Sequence, residues 1–85
     1  MIDVLVVEDN RELGKLLCDF LKAEGYRTAL APTGEEGLAL ARTEGARLVV
    51  LDVMLPGMDG LAVCRALRRE GDLPILVVSA RSEKE

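Results

Sequence analysis

The chain has no excess of positive charge: 11 Lys and Arg stand against 15 Asp and Glu, a net charge of −4 over 85 residues. That balance argues against nucleic-acid binding, which rests on a basic face. Cysteine is scarce. Cys18 and Cys64 fall in different predicted helices without CxxC spacing, which excludes a disulfide framework and a redox or thiolate-metal motif. They read as buried or half-buried free thiols, at home in a reducing compartment. No apolar run approaches the ~20 residues of a membrane span, and Met1-Ile2-Asp3 lacks a basic leader region. The expectation is a soluble, cytoplasmic protein with no membrane partner. Also missing are GxGxxG and GxxxxGK[ST], the loops that cradle nucleotide phosphates. No linker, repeat or low-complexity stretch divides the chain, so one small domain is expected. Hydrophobic residues make up 49% of it, enough to fold rather than stay disordered.

What is present alternates between strand and helix patterns. Residues 2–7 are short, apolar and mostly β-branched, a buried strand. Over 10–24, Leu13, Leu16, Leu17, Phe20 and Leu21 recur at three-and-four spacing and predict an amphipathic helix. Asp9 or Asn10 can cap its start and Gly25 ends it. Tyr26 to Ala31 reads as a second strand. Thr33 and Glu36 have capping-box spacing for a helix running to about Glu44, stopped by Gly45. Arg47 to Leu51 is a third strand, and Gly57 to Gly60 a tight turn. Asp59 can cap a helix to about Glu70 with Val63, Cys64 and Leu67 on one face, and Gly71 ends it. Pro74 precedes a fourth strand, Ile75 to Ser79. Ser82-Glu83-Lys84-Glu85 looks like the first turn of another helix. The order β-α-β-α-β-α-β implies a parallel sheet with helices on both faces.

In a parallel sheet the carboxyl ends of the strands form one rim, where open α/β folds bind ligands. That rim collects Glu8, Asp9 and Asn10 after the first strand, Asp52, Val53 and Met54 after the third, and Ser79 and Ala80 at the fourth. Converging carboxylates repel and call for a cation. Mg²⁺ fits, because it takes a few carboxylates plus waters and completes its shell from a phosphate. A carboxylate can itself be the nucleophile in aspartyl-phosphate chemistry, and Asp52 is the candidate. Taken singly, Asp9 reads equally as a helix cap, Asp59 as a cap, Ser79 as a strand-end hydroxyl and Glu8 as a solvated charge. Asp52 is harder to dismiss, since an ionised group ending Leu48-Val49-Val50-Leu51 costs free energy unless paired or solvated in a cleft.

Four stretches carry a family resemblance: Val6-Val7-Glu8-Asp9-Asn10, Leu51-Asp52, Leu55-Pro56-Gly57-Met58-Asp59-Gly60, and Pro74-Ile75 with Val78-Ser79-Ala80. In this order they resemble the receiver domain of bacterial two-component response regulators. The resemblance implies a flavodoxin-like three-layer sheet, here of order 2-1-3-4. It implies that Asp52 accepts a phosphoryl group from a histidine of a partner sensor kinase, this chain having none. Glu8 and Asp9 would be the acidic pair, with Asp52 and the Met54 carbonyl completing the protein's contacts to Mg²⁺. Ser79 would be the switch hydroxyl, and the Ala80 amide would touch the phosphoryl group. A signalling domain of this kind promotes only its own phosphorylation and dephosphorylation. It acts on an output domain, or on DNA, through a full-length parent that regulates transcription.

The chain departs from the family's pattern in length. Receivers continue through a fifth strand and two more helices, and the fifth strand ends in a Lys that pairs with the phosphoryl group. Lys84 lies too early for that role. Residues 1–85 are therefore expected to be a partial receiver, impaired in phosphorylation. Its uncovered fourth-strand edge is expected to lead to self-association or element swapping. The competing readings are a non-phosphorylated pseudo-receiver and a flavin- or nucleotide-binding α/β module or small hydrolase. The second would want a Gly-rich loop where Glu8-Asp9-Asn10 stands.

Overall fold

A computed structural model describes residues 1–52 and 60–78. The elements run β1 (Ile2–Val7), α1 (Arg11–Ala23), β2 (Thr28–Ala31), α2 (Gly34–Thr43), β3 (Ala46–Asp52), α3 (Gly60–Glu70) and β4 (Ile75–Val78). The four strands form one sheet of order β2-β1-β3-β4, every pairing parallel. Of the expected Gly57–Gly60 turn only Gly60 is described, as the first residue of α3; the Asp59 cap and the helical turn at Ser82–Glu85 lie outside the described residues.

Alternation along the central strands decides the layering. Leu5, Val7, Val49 and Leu51 join Leu38, Val63 and Leu67 in the core beneath α2 and α3. Val4 and Val6 point the other way and meet Cys18, Leu17 and Leu21 of α1. With both faces covered, the strands can be continuously apolar, as parallel strands are. Both cysteines are free thiols, Cys18 buried and Cys64 half-buried, as expected.

β2 starts at Thr28 rather than Tyr26, because α1 uses the preceding backbone to close itself. Gly25, at φ +97°, donates to the Lys22 carbonyl, and the Tyr26 N–H donates to the Leu21 carbonyl at 3.1 Å. This is the paired closure that satisfies the last helix carbonyls, and it takes Tyr26 out of the sheet. β3 is also longer than expected, so Asp52 is its last residue, in register with Val78.

α1 does not press its whole apolar face onto the sheet. Gly14 and Cys18 are buried and Leu13, Leu17 and Leu21 half-buried, while Leu16 and Phe20 are 65% and 63% exposed. At about 100° per residue, the apolar arc is turned roughly a quarter turn from the sheet normal. It overhangs β3 and β4, where Leu13, Leu17, Phe20, Val50, Leu76 and Val78 line an open groove of about 410 Å³. Leu76 and Val77, at 53% and 45% exposure, leave the outer side of β4 apolar.

Two helix glycines mark close approaches, and they differ in consequence. A Cβ on Gly14 would meet the tip of Leu30 at 2.6 Å, and one on Gly37 would meet Val7 Cγ2 at 2.8 Å. The Leu30 tip is the far end of a flexible side chain and can turn aside. Val7 is β-branched, buried and held in the sheet, so it has little freedom to move. Removing a helix glycine gains roughly 0.5–1 kcal/mol, and overpacking costs about 1–3 kcal/mol. Gly37→Ala is therefore expected to lower stability by about 1–2 kcal/mol in urea melts, while Gly14→Ala stays near neutral. Equal effects would mean that the α2–β1 contact is softer than this.

Candidate functional site

The site grows from the ends of two neighbouring strands. β1 and β3 pair in register as far as Val7 and Leu51, so the next residues, Glu8 and Asp52, emerge side by side at the carboxyl end of the sheet. Glu8 is anchored by its own N–H to the Ala31 carbonyl at 3.0 Å. Its side chain bends back to accept the Asn10 N–H at 3.1 Å. Asn10 then caps α1 by accepting the Leu13 N–H on Oδ1 at 3.0 Å. The cap is thus Asn10, and Asp9 is left for the rim.

Glu8 and Asp52 are 3% and 2% exposed, whereas Asp9 is open to solvent. One carboxylate oxygen from each of the three lies within 4.8 Å of the others. Burial pushes the Glu8 carboxyl above its ordinary range. The Asn10 N–H opposes this, and the charge of Asp52 and the hydrogen-bonding reach of Asp9 and Asp52 add to it. An all-oxygen donor set, buried on two sides and open on the third, can hold a hard divalent cation that keeps part of its water. Met54, Ser79 and Ala80, the other sequence candidates, lie outside the described residues.

A family model described as the response regulator receiver domain matches residues 4–85. The chain belongs to the response regulator receiver family. It is 44% identical over 81 residues to the transcriptional regulatory protein BaeR of Escherichia coli O6:H1, covering 95% of this chain and 34% of that protein. It is 45% identical over 83 residues to the transcriptional regulatory protein AfsQ1 of Streptomyces coelicolor, covering 98% of this chain and 37% of that one. A chain in the crystal structure of histidine kinase ThkA in complex with response regulator protein TrrA superposes with a TM-score of 0.88 at 35% identity. That match covers all of this chain and 74% of the other. The receiver chain thus spans about a third of the length of the curated relatives it matches.

The four-stranded order and three helices are those of the flavodoxin-like receiver fold. A receiver domain is a signalling domain, and the relatives are transcriptional regulators. No helix among the described residues is long and apolar enough to cross a membrane.

The buried Glu8 has a consequence for stability. In the folded receiver without metal its carboxyl binds a proton more readily than in the unfolded chain. The stabilisation from that proton is fully present below the unfolded glutamate range and is lost as pH rises through the raised Glu8 value. Thermal melts in EDTA from about pH 4 to about pH 8 are expected to show the midpoint falling across that upper window. Glu8→Gln is expected to flatten this component, and an unchanged slope would remove Glu8 as its source.

Proposed function

We propose that this receiver takes a phosphoryl group on Asp52 from the phosphohistidine of a sensor kinase. The observation that carries the reading is the cluster itself: three acidic side chains on adjoining strand ends, with ligand oxygens within 4.8 Å of one another. A divalent cation would relieve the repulsion among these carboxylates and put the cluster to chemical use. Glu8, Asp9 and Asp52, with the Met54 carbonyl, would hold Mg²⁺. The ion supplies positive charge that lets a carboxylate and a phosphoryl group approach. In the transfer, the phosphorus–nitrogen bond to the donor imidazole breaks, a phosphorus–oxygen bond to an Asp52 carboxylate oxygen forms, and the imidazole nitrogen takes up a proton. The Ser79 hydroxyl and the Ala80 N–H would donate to the transferred oxygens.

The domain promotes only its own phosphorylation and dephosphorylation and transforms no separate substrate. It works in the cytoplasm and controls an output domain, or DNA, through a full-length regulator. The kinase partner rests on family membership, and on TrrA being seen with ThkA.

The family's fifth-strand Lys has no counterpart within residues 1–85. One hydrogen bond to a charged group contributes roughly 1.5–3 kcal/mol. A polypeptide limited to residues 1–85 is therefore expected to react on the order of ten- to a hundredfold more slowly than a receiver carrying that Lys. The β4 edge, unpaired among the described residues, and the adjoining apolar groove are expected to make such a polypeptide self-associate, by edge pairing or by exchanging elements.

Intact mass after incubation with Mg²⁺ and acetyl phosphate tests the function. A gain of one phosphoryl group, lost in EDTA and reversed by hydrolysis, is expected; no gain at any Mg²⁺ concentration would leave a pseudo-receiver. Light scattering tests the edge: wild type should exceed monomer mass as concentration rises, and Val77→Lys should lower it. A monomer at every concentration would refute edge pairing.

A further inference from the structure

The described cations of this receiver are not distributed evenly with respect to acids. Arg27 and Arg47 flank Asp3, Lys15 pairs with Asp19 four residues on, and Arg42 of α2 holds Glu70 at the end of α3. Arg11 and Lys22 of α1 make no ion pair among the described residues but line a groove that also holds Asp19, whereas the groove beside Arg65, Arg68 and Arg69 is lined by no acid. These three arginines are exposed, and none is within ion-pair distance of an acid among the described residues, although the charge of Arg69 still reaches Glu70 through space. Their spacing of three and four places them on one side of α3. With Cys64 they line a shallow groove of about 300 Å³.

The bland reading is a solvated helix end. Arg68 and Arg69 sit in the last turn, where cations suit the helix dipole. That reading does not cover Arg65, a turn earlier. Nor does it cover the three like charges repelling one another on a chain with four more acids than bases. Glu70, the neighbouring carboxylate, is held by Arg42 through two guanidinium nitrogens and balances only Arg69, through space.

We infer that the outer face of α3 docks an acidic segment of a partner protein. Arginine stems and the half-buried Cys64 supply an apolar floor. Three planar guanidinium groups supply forked donors that match carboxylates two at a time. The net charge of −4 favours a short carboxylate-bearing segment over a nucleic acid, whose long run of phosphates would meet acids on either side of so small a basic face. The surface belongs to α3, which packs against α2, and it does not depend on the reaction at Asp52.

The test uses a labelled amphipathic peptide with glutamates at i, i+3, i+4 and i+7, its glutamine counterpart, and a labelled DNA duplex, followed by fluorescence anisotropy. The glutamate peptide is expected to bind and the glutamine peptide not. Affinity is expected to fall about tenfold in Arg65→Glu/Arg68→Glu, and to weaken when salt rises from about 50 mM to about 300 mM. Lys15→Glu/Lys22→Glu, on α1, is expected to leave it unchanged, with circular dichroism confirming that both variants fold. The peptide is also expected to slow alkylation of Cys64 by iodoacetamide. Loss of binding in the α1 variant alone, no binding at low salt, or unchanged Cys64 alkylation would overturn the proposal. Tighter binding of the duplex, lost in the α3 variant, would overturn it in favour of nucleic acid.

Discussion

Asp52→Asn is expected to abolish phosphorylation outright, with no gain of mass from acetyl phosphate at any Mg²⁺ concentration, while the domain stays folded. The loss is total because no neighbouring carboxylate can substitute. Glu8 is 3% exposed and already accepts the Asn10 N–H, which makes it a poor nucleophile. Asp9 is exposed and follows β1 rather than ending the central strand. The fold survives because an amide has nearly the carboxylate's shape and the substitution removes a like charge from a crowded cluster. Asp9→Asn gives the contrast. It leaves the acceptor intact and removes one metal donor, so mass gain should persist but require more Mg²⁺. A mass gain retained in Asp52→Asn would move the acceptor elsewhere and dismantle the proposed chemistry.

The rim was readable in the sequence because it is punctuated by chemistry. Asp52, closing an apolar run, has few neutral explanations, and Glu8 and Asp9, each with an ordinary reading alone, join it because all three fall on one rim of a parallel sheet. β1 was bounded at both ends for the same reason. Orientation was less legible. Helical periodicity tells which residues of α1 share a face, but not which way the face points. The sheet contact falls on Gly14 and Cys18, whose small size lets the helix come close, and that leaves Leu16 and Phe20 exposed. The start of β2 was hidden too, since a backbone hydrogen bond from Tyr26 to Leu21 leaves no side-chain signature. The choice between Asp9 and Asn10 as cap needed the hydrogen bond to Leu13. The arginine face of α3 carries no motif. It emerges only when each acid's partner is known.

Leu51→Ala is expected to bring the receiver to the edge of unfolding. Leu51 is fully buried in the central strand, between Val7 on β1 and Val77 on β4, so little around it can collapse into the space left. A buried Leu→Ala change costs about 2–5 kcal/mol. At roughly 0.05–0.15 kcal/mol per residue, a chain of 85 residues has about 4–13 kcal/mol in total. Each kcal/mol lost moves the midpoint of a domain this size by about 4–8 °C, so a drop of roughly 8–40 °C is expected. Leu16→Ala deletes the same atoms at a 65% exposed position and should change stability by less than about 0.5 kcal/mol, so the pair isolates burial from chemistry. Leu51 also precedes Asp52, so its loss loosens the strand end that carries the acceptor. Mg²⁺ at about ten times its dissociation constant should return about 1.4 kcal/mol, less than the cavity removes. Rescue by Mg²⁺ is therefore expected to be partial in Leu51→Ala and largely absent in Leu51→Ala/Asp52→Asn. Equal Mg²⁺ rescue in both variants would mean that the cation binds somewhere other than the acidic rim.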